Sequence, residues 1–182
     1  HTMGVDAFAS IHEGVDAVAV GGTVLVSTGQ YFGNVVVNKA LSLHGLSKSD
    51  AANTLHTTFS GDAVTINGGN AENIEIKWLK IDAAGSGVVI ENGVGDDISI
   101  HESFITGNTP YGVWNKDTTH TFSVTNNWWG QSSGPAPSGM GDSILGSLDY
   151  SPFYVDAAMT KLNNSISARV EGMNTCQESC GT

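Results

Sequence analysis

The chain has 182 residues, of which 40% are apolar and only 14% charged, with 23 glycines; that is the composition of one folded domain and excludes a disordered acidic tail or a coiled coil. Asp and Glu number 18 against 7 Lys and Arg, and the resulting net charge of -11 argues against a phosphate backbone or an anionic membrane surface as partner, so nucleic acid is not expected. No apolar run approaches the ~20 residues that would span a bilayer, so no membrane insertion is expected.

His1-Thr2-Met3 reads as a cloning scar, and no signal peptide precedes the first predicted element. Phe8, Ile11, Val15 and Val18 then fall at helical spacing and predict one short amphipathic helix, ended by Gly21-Gly22. From Thr23 the period changes to two. Val24 and Val26, Val35 and Val37, and Leu41 and Leu43 mark very short strands separated by turn residues.

An internal repeat dominates the middle third. Val64 and Ile66 recur 24 residues later as Val88 and Ile90, and Ile74 and Ile76 recur as Ile98 and Ile100. A third copy carries Phe122 and Val124 after a further 24, and Val113 25 residues after Val88. A unit of this length with two or three short strands and no helix fits one coil of a parallel β-solenoid. It does not fit a βαβ crossover, which needs a helix. Each coil alone cannot bury its inward Val and Ile, but coils stacked ~4.8 Å apart set like on like. The expected architecture is all-β, a solenoid of about six coils over residues 4–155 with an N-terminal helical cap. The competing arrangement is an antiparallel sandwich with hairpins at Asn67-Gly68-Gly69 and Asn92-Gly93, which explains the turns but not the offset.

The period also predicts columns of side chains. Glu72, Asp96 and His120 share one column, and Asn73, Asp97 and Thr121 the next, just before the strands that start at Ile74, Ile98 and Phe122. Glu72 and Asp96 would then approach within about one rung, near the ~5 to 5.5 Å of paired carboxylates in a retaining glycosidase. With Asp97, the same oxygens could hold Ca²⁺ as a cofactor. The plainer reading makes Asn and Asp turn residues whose side chains bond the backbone. Lys77 aligns with His101 and Thr125 on the outward face, where Asp97 could join them. Trp114 takes the outward position that Thr65 and Val89 hold in earlier coils, and with Tyr111 it could stack on the apolar face of a pyranose. The opposing reading packs Trp114 under a loop or the C-terminal segment.

Gly22-Thr23-Val24-Leu25-Val26 and Gly33-Asn34-Val35-Val36-Val37 through Leu41-Ser42-Leu43-His44-Gly45 resemble the opening coils of right-handed parallel β-helix proteins of the pectin-lyase-like superfamily. Asn126-Asn127-Trp128-Trp129-Gly130, Ser133-Gly134-Pro135 and Asp149-Tyr150-Ser151-Pro152-Phe153 resemble the closing end of such domains in bacterial and archaeal cell-surface proteins. The resemblance implies a right-handed coil and an exported or cell-surface protein that meets polysaccharide or cell-envelope glycan. It also implies a choice among functions, because the superfamily holds lyases, hydrolases and non-catalytic modules. Of the polygalacturonase motifs only the paired Asp96-Asp97 is present, without a G-H-G or an R-x-K. A non-catalytic binding or structural module is therefore expected. The alternative is a lyase or hydrolase of an acidic polysaccharide using Asp96, Asp97, His101 and Lys77.

Trp128 and Trp129 are expected to seal the last coil. Beyond it, Met159, Leu162, Ile166 and Val170 predict a short amphipathic helix that folds back or pairs with a second copy, which would make a homo-oligomer or assembly element. Cys176 and Cys180 lie in a polar tail and cannot staple the fold; a local disulfide is open to them only after export.

Overall fold

The computed structural model describes residues 7–48, 53–57 and 61–164. His1 to Met3, Ile166, Arg169, Val170, Cys176 and Cys180 lie outside the described residues.

Helix α1 spans Ile11–Ala17, shorter at both ends than the apolar spacing predicts. Its start is set by a capping box: Ser10 Oγ accepts the Glu13 N–H at 3.2 Å, and the Glu13 carboxylate accepts the Ser10 N–H at 3.2 Å. Phe8 therefore precedes the helix, and Val18, already extended, ends it. Ile11 and Val15 are buried, and the helix packs on the first and third strands below.

The strands follow in short pieces. The first coils carry β1 (Gly22–Val26), β2 (Gly29–Phe32), β3 (Val35–Val37), β4 (Leu41–Gly45), β5 (Asn53–Thr57) and β6 (Val64–Ile66). The regular middle carries β7 (Ile74–Lys77), β8 (Lys80–Ala83), β9 (Val88–Ile90), β10 (Ile98–His101), β11 (Phe104–Ile105) and β12 (Val113–Asn115). The closing part carries β13 (Phe122–Ser123), β14 (Pro135–Ala136), β15 (Gly141–Leu145) and β16 (Leu148–Asp149).

These strands form three sheets with orders β1-β4-β7-β10-β13-β16, β11-β8-β5-β2 and β14-β15-β12-β9-β6-β3. The pairs are parallel throughout, and the register is the one the repeat predicts. Ile74 faces Ile98 and Ile76 faces Ile100; Val64 faces Val88 and Ile66 faces Ile90. Val113 faces Val88, and Ser123 faces Ser99. The chain is thus mostly β, with parallel strands in three sheets and one short helix, consistent with a parallel β-solenoid. Asn67-Gly68 and Asn92-Gly93 are corners between parallel strands, with Gly68 at φ 88° and Gly93 at φ 79°, and not hairpin tips.

Inward positions stack as apolar ladders. Leu41, Ile74, Ile98 and Phe122 form one, and Val35, Val64, Val88 and Val113 another, all buried. Their cohesion is the ordinary hydrophobic term, about 25 cal/mol per Å² removed from water. Corners repeat as well. Trp78, Glu102 and Asn126 all have positive φ (60°, 50° and 54°), and their backbones form a ladder, with Trp78 N–H donating to Glu102 O and Glu102 N–H to Asn126 O.

The N-W-W-G motif closes the stack. Asn127 is fully buried, with its Oδ1 accepting the Ser103 N–H at 3.0 Å and its Nδ2 donating to Ile100 O and Val124 O, each at 2.8 Å. Phe104 bridges to Trp128, and Trp129 is fully buried in the core. The helix expected from Met159 does not form over the part described. Asp156 instead accepts bonds from Thr160 N–H and Oγ1 and closes a turn, Met159 adopts φ 52°, and Leu162 forms an antiparallel bridge to Tyr154. Asn163 Oδ1 holds the Phe153 N–H at 2.8 Å, so this segment returns on the closing strand positions rather than coiling. No helix among the described residues is long and apolar enough to cross a membrane.

Candidate functional site

At the corner columns Asn73 bonds the Asp96 backbone and Asp96 reaches His120, whereas Glu72 lies against Gly95, and most of the polar groups serve the turn. Asn73 and Asp97 have φ 50° and 58°, a backbone conformation that Asn and Asp tolerate better than most residues. The carbonyl of Asp96 accepts the Asn73 N–H, and that of Asp97 accepts the Ile74 N–H, both at 3.0 Å. Glu72 lies over Gly95, where an added Cβ would meet Glu72 Oε2 at 2.9 Å. Asp96 reaches its column neighbour, with Oδ1 3.0 Å from His120 Nε2. The far side of that imidazole, Nδ1, is 3.0 Å from Asp117 Oδ1.

Asp117 was not singled out in the sequence, yet it is the anchor of this corner. Its burial would raise the carboxyl pKa. Bonds from the Thr119 hydroxyl and from the backbone N–H groups of Thr119, His120 and Gly93 outweigh that and hold it well below the usual carboxylate range. The corner thus aligns Asp117, His120 and Asp96. Among the described residues no three His, Cys, Asp or Glu side chains converge as a metal-holding group, and Glu72, Asp96 and Asp97 are not brought into one.

On the outward face of the first sheet, Lys77 pairs in register with His101 on one side and with His44 on the other. Glu75 joins all three. Its Oε1 is 2.9 Å from both Lys77 Nζ and His101 Nε2, and its Oε2 is 2.6 Å from His44 Nε2. Burial works to raise the Glu75 pKa, but the hydrogen bonds from Lys77, His101 and His44 prevail and lower it to about 2. His44 is pushed below its ordinary 6.5, first by burial and then by the Lys77 charge, against the pull of Glu75. Trp78 walls this network: its Nε1 donates to Glu102 Oε2 at 2.9 Å, and the Lys77 ammonium sits 4.8 Å from its ring centre. Asp97 is placed at the corner before β10, and it does not enter the Glu75 network.

The third sheet presents the aromatic pair. Trp114, facing Val89 and Leu145 in the register, is half-buried with its ring centre 5.3 Å from that of Tyr111 at a tilt of 55°. The Lys116 ammonium is 4.4 Å from the centre of the Trp114 ring and 2.7 Å from Glu91 Oε1.

Sequence reasoning found Lys77 and His101 but missed Glu75, two residues before Lys77 on the same strand face, and His44, which the spacing hides. His44 and Lys77 face each other across a coil longer than the 24-residue unit, so no constant offset connects them. Glu91 and Lys116 are separated by the same 25 residues as Val88 and Val113, and were legible as a pair by that offset. No family model matches the chain, and no curated protein and no solved structure matches it either.

Proposed function

We propose that the chain is a non-catalytic, carbohydrate-binding module of an exported or cell-surface protein, built as a right-handed β-helix of about six coils of the pectin-lyase-like kind. The observation that supports this reading is the half-exposed Tyr111–Trp114 pair, rings 5.3 Å apart, beside the polar Lys116–Glu91 pair. Aromatic surface gives a sugar ring an apolar face to stack on, and the neighbouring charges offer hydrogen bonds to its substituents. A glycan array tests it. Binding that Trp114→Ala abolishes supports the reading, and an array on which parent and variant behave alike overturns it.

A second reading, a lyase or hydrolase of acidic polysaccharide, is favoured by the meeting of Lys77, His101 and His44 on Glu75. Against it, Glu75 is held ionised and so is no proton donor near neutrality, and Lys77 is already engaged with it. The net charge of -11 also repels a polyanion unless Ca²⁺ intervenes. Incubation with pectins, alginates and neutral glycans, with and without Ca²⁺, decides: unsaturated products or new reducing ends establish this reading, and silence removes it.

A further inference from the structure

Resting on the carbohydrate reading, we infer that the Tyr111–Trp114 site selects sugars carrying a protonated amine, that is, glycans of free hexosamine rather than of uronic acid or N-acetylated sugar. The reason lies in what already occupies it. The Lys116 ammonium stands 4.4 Å from the Trp114 ring centre and 2.7 Å from the Glu91 carboxylate, with the Tyr111 ring alongside. Aromatic faces with a carboxylate on the open side make a site for an organic cation, since the ring quadrupole and the negative charge both attract it.

Lys116 marks a point between ring and carboxylate where a positive group is held. Lys116 follows β12 and Glu91 follows β9, and the Lys116 N–H donates to Ile90 O at 2.8 Å, so the backbone sets the two residues side by side and only the long Lys116 side chain is free to move away. Lys116 and Glu91 side chains are 29% and 36% exposed, which leaves the ammonium room to swing out. A hexosamine ring stacking on Trp114 would place its own ammonium against Glu91 and release Lys116 to solvent. A uronate would instead set its carboxylate against Glu91, on a chain whose net charge is already -11. An N-acetylated amine would stack but leave Glu91 without a cation once Lys116 moved.

The test titrates the protein, followed by tryptophan fluorescence and calorimetry at mildly acidic pH, with a glucosamine oligomer, its fully N-acetylated counterpart and an oligogalacturonate. The parent is expected to bind the free-amine oligomer most tightly. Lys116→Gln, which removes the internal competitor, should tighten that binding about five- to tenfold. Glu91→Gln should erase the preference for free amine over N-acetyl, and Trp114→Ala should abolish binding of both. Circular dichroism of each variant confirms that it is folded. If the N-acetylated or acidic oligomer binds as tightly as the free-amine form, still through Trp114, the amine selection is overturned and the carbohydrate reading stands. If the free-amine oligomer binds Trp114→Ala as well as the parent, the attraction is only that of net charge, and the inference falls. If no oligomer binds the parent or Lys116→Gln, the amine selection is overturned, and the carbohydrate reading beneath it is decided by the glycan array with Trp114→Ala.

Discussion

Asn127 Oδ1 accepts the backbone N–H of Ser103 at 3.0 Å, joining the closing coil to the one beneath it through a side chain that is wholly buried. Replacing Asn127 by Leu would leave the Ser103 amide without that partner inside the core and strip two further bonds, to Ile100 O and Val124 O. An unmade buried bond costs about 1–3 kcal/mol. Asn127→Leu is therefore expected to lower the unfolding free energy by roughly 2–4 kcal/mol, measured by urea denaturation, with a nearly unchanged midpoint counting against the role.

Gly134 of the S-G-P motif has φ 81°, and a Cβ built there would meet the Phe153 ring at 2.5 Å. Gly21 has a similar φ of 76° but open space around it. Gly134→Ala should thus cost about 2 kcal/mol or more, from overpacking added to backbone strain, and Gly21→Ala about 1 kcal/mol from strain alone. Thermal melting of the two variants compares them directly.

The Glu75 network makes stability depend on pH with a definite sign. The Glu75 pKa is lowered from 4.5 to about 2 by folding, so its contribution is complete above about pH 4.5 and lost as pH falls towards 2. That of His44 is also lowered, from 6.5, so protonation opposes folding and stability begins to decline as pH falls below 6.5. Glu75→Gln should flatten the acid limb of the stability curve, by about 1 kcal/mol once solvent screening is allowed for. His44→Gln should flatten the portion just below neutrality. Urea midpoints taken across the range would show either limb unchanged if the network were idle.

At the other end, Ser10 and Glu13 cap a helix of only seven residues, too short to be stable by itself. Ser10→Ala removes the Glu13 N–H acceptor and should cost about 1 kcal/mol. Hydrogen exchange at the amides of α1 would report this as faster local opening.

What could be read along the chain was the repeat. Residues such as Ile74 and Ile98, or Val64 and Val88, announce their stacking because parallel rungs put equal chain lengths between vertical neighbours, and inward positions must be apolar in each. The corner residues Asn73 and Asp97 were legible for a related reason, since few side chains tolerate a positive φ. The helix expected from Met159 was misread over its first turn because its apolar spacing is shared by a folded-back segment that buries Met159 and bridges Leu162 to Tyr154. Which polar neighbours actually bond was decided by the tertiary structure. Glu75 meets His44 because a coil of irregular length still closes on the same rung, and Lys116, set beside Glu91 by the 25-residue offset, also lies over Trp114 because a flexible side chain chooses among its neighbours. Apolar ladders are set by a period, whereas charges pair wherever distance and burial allow.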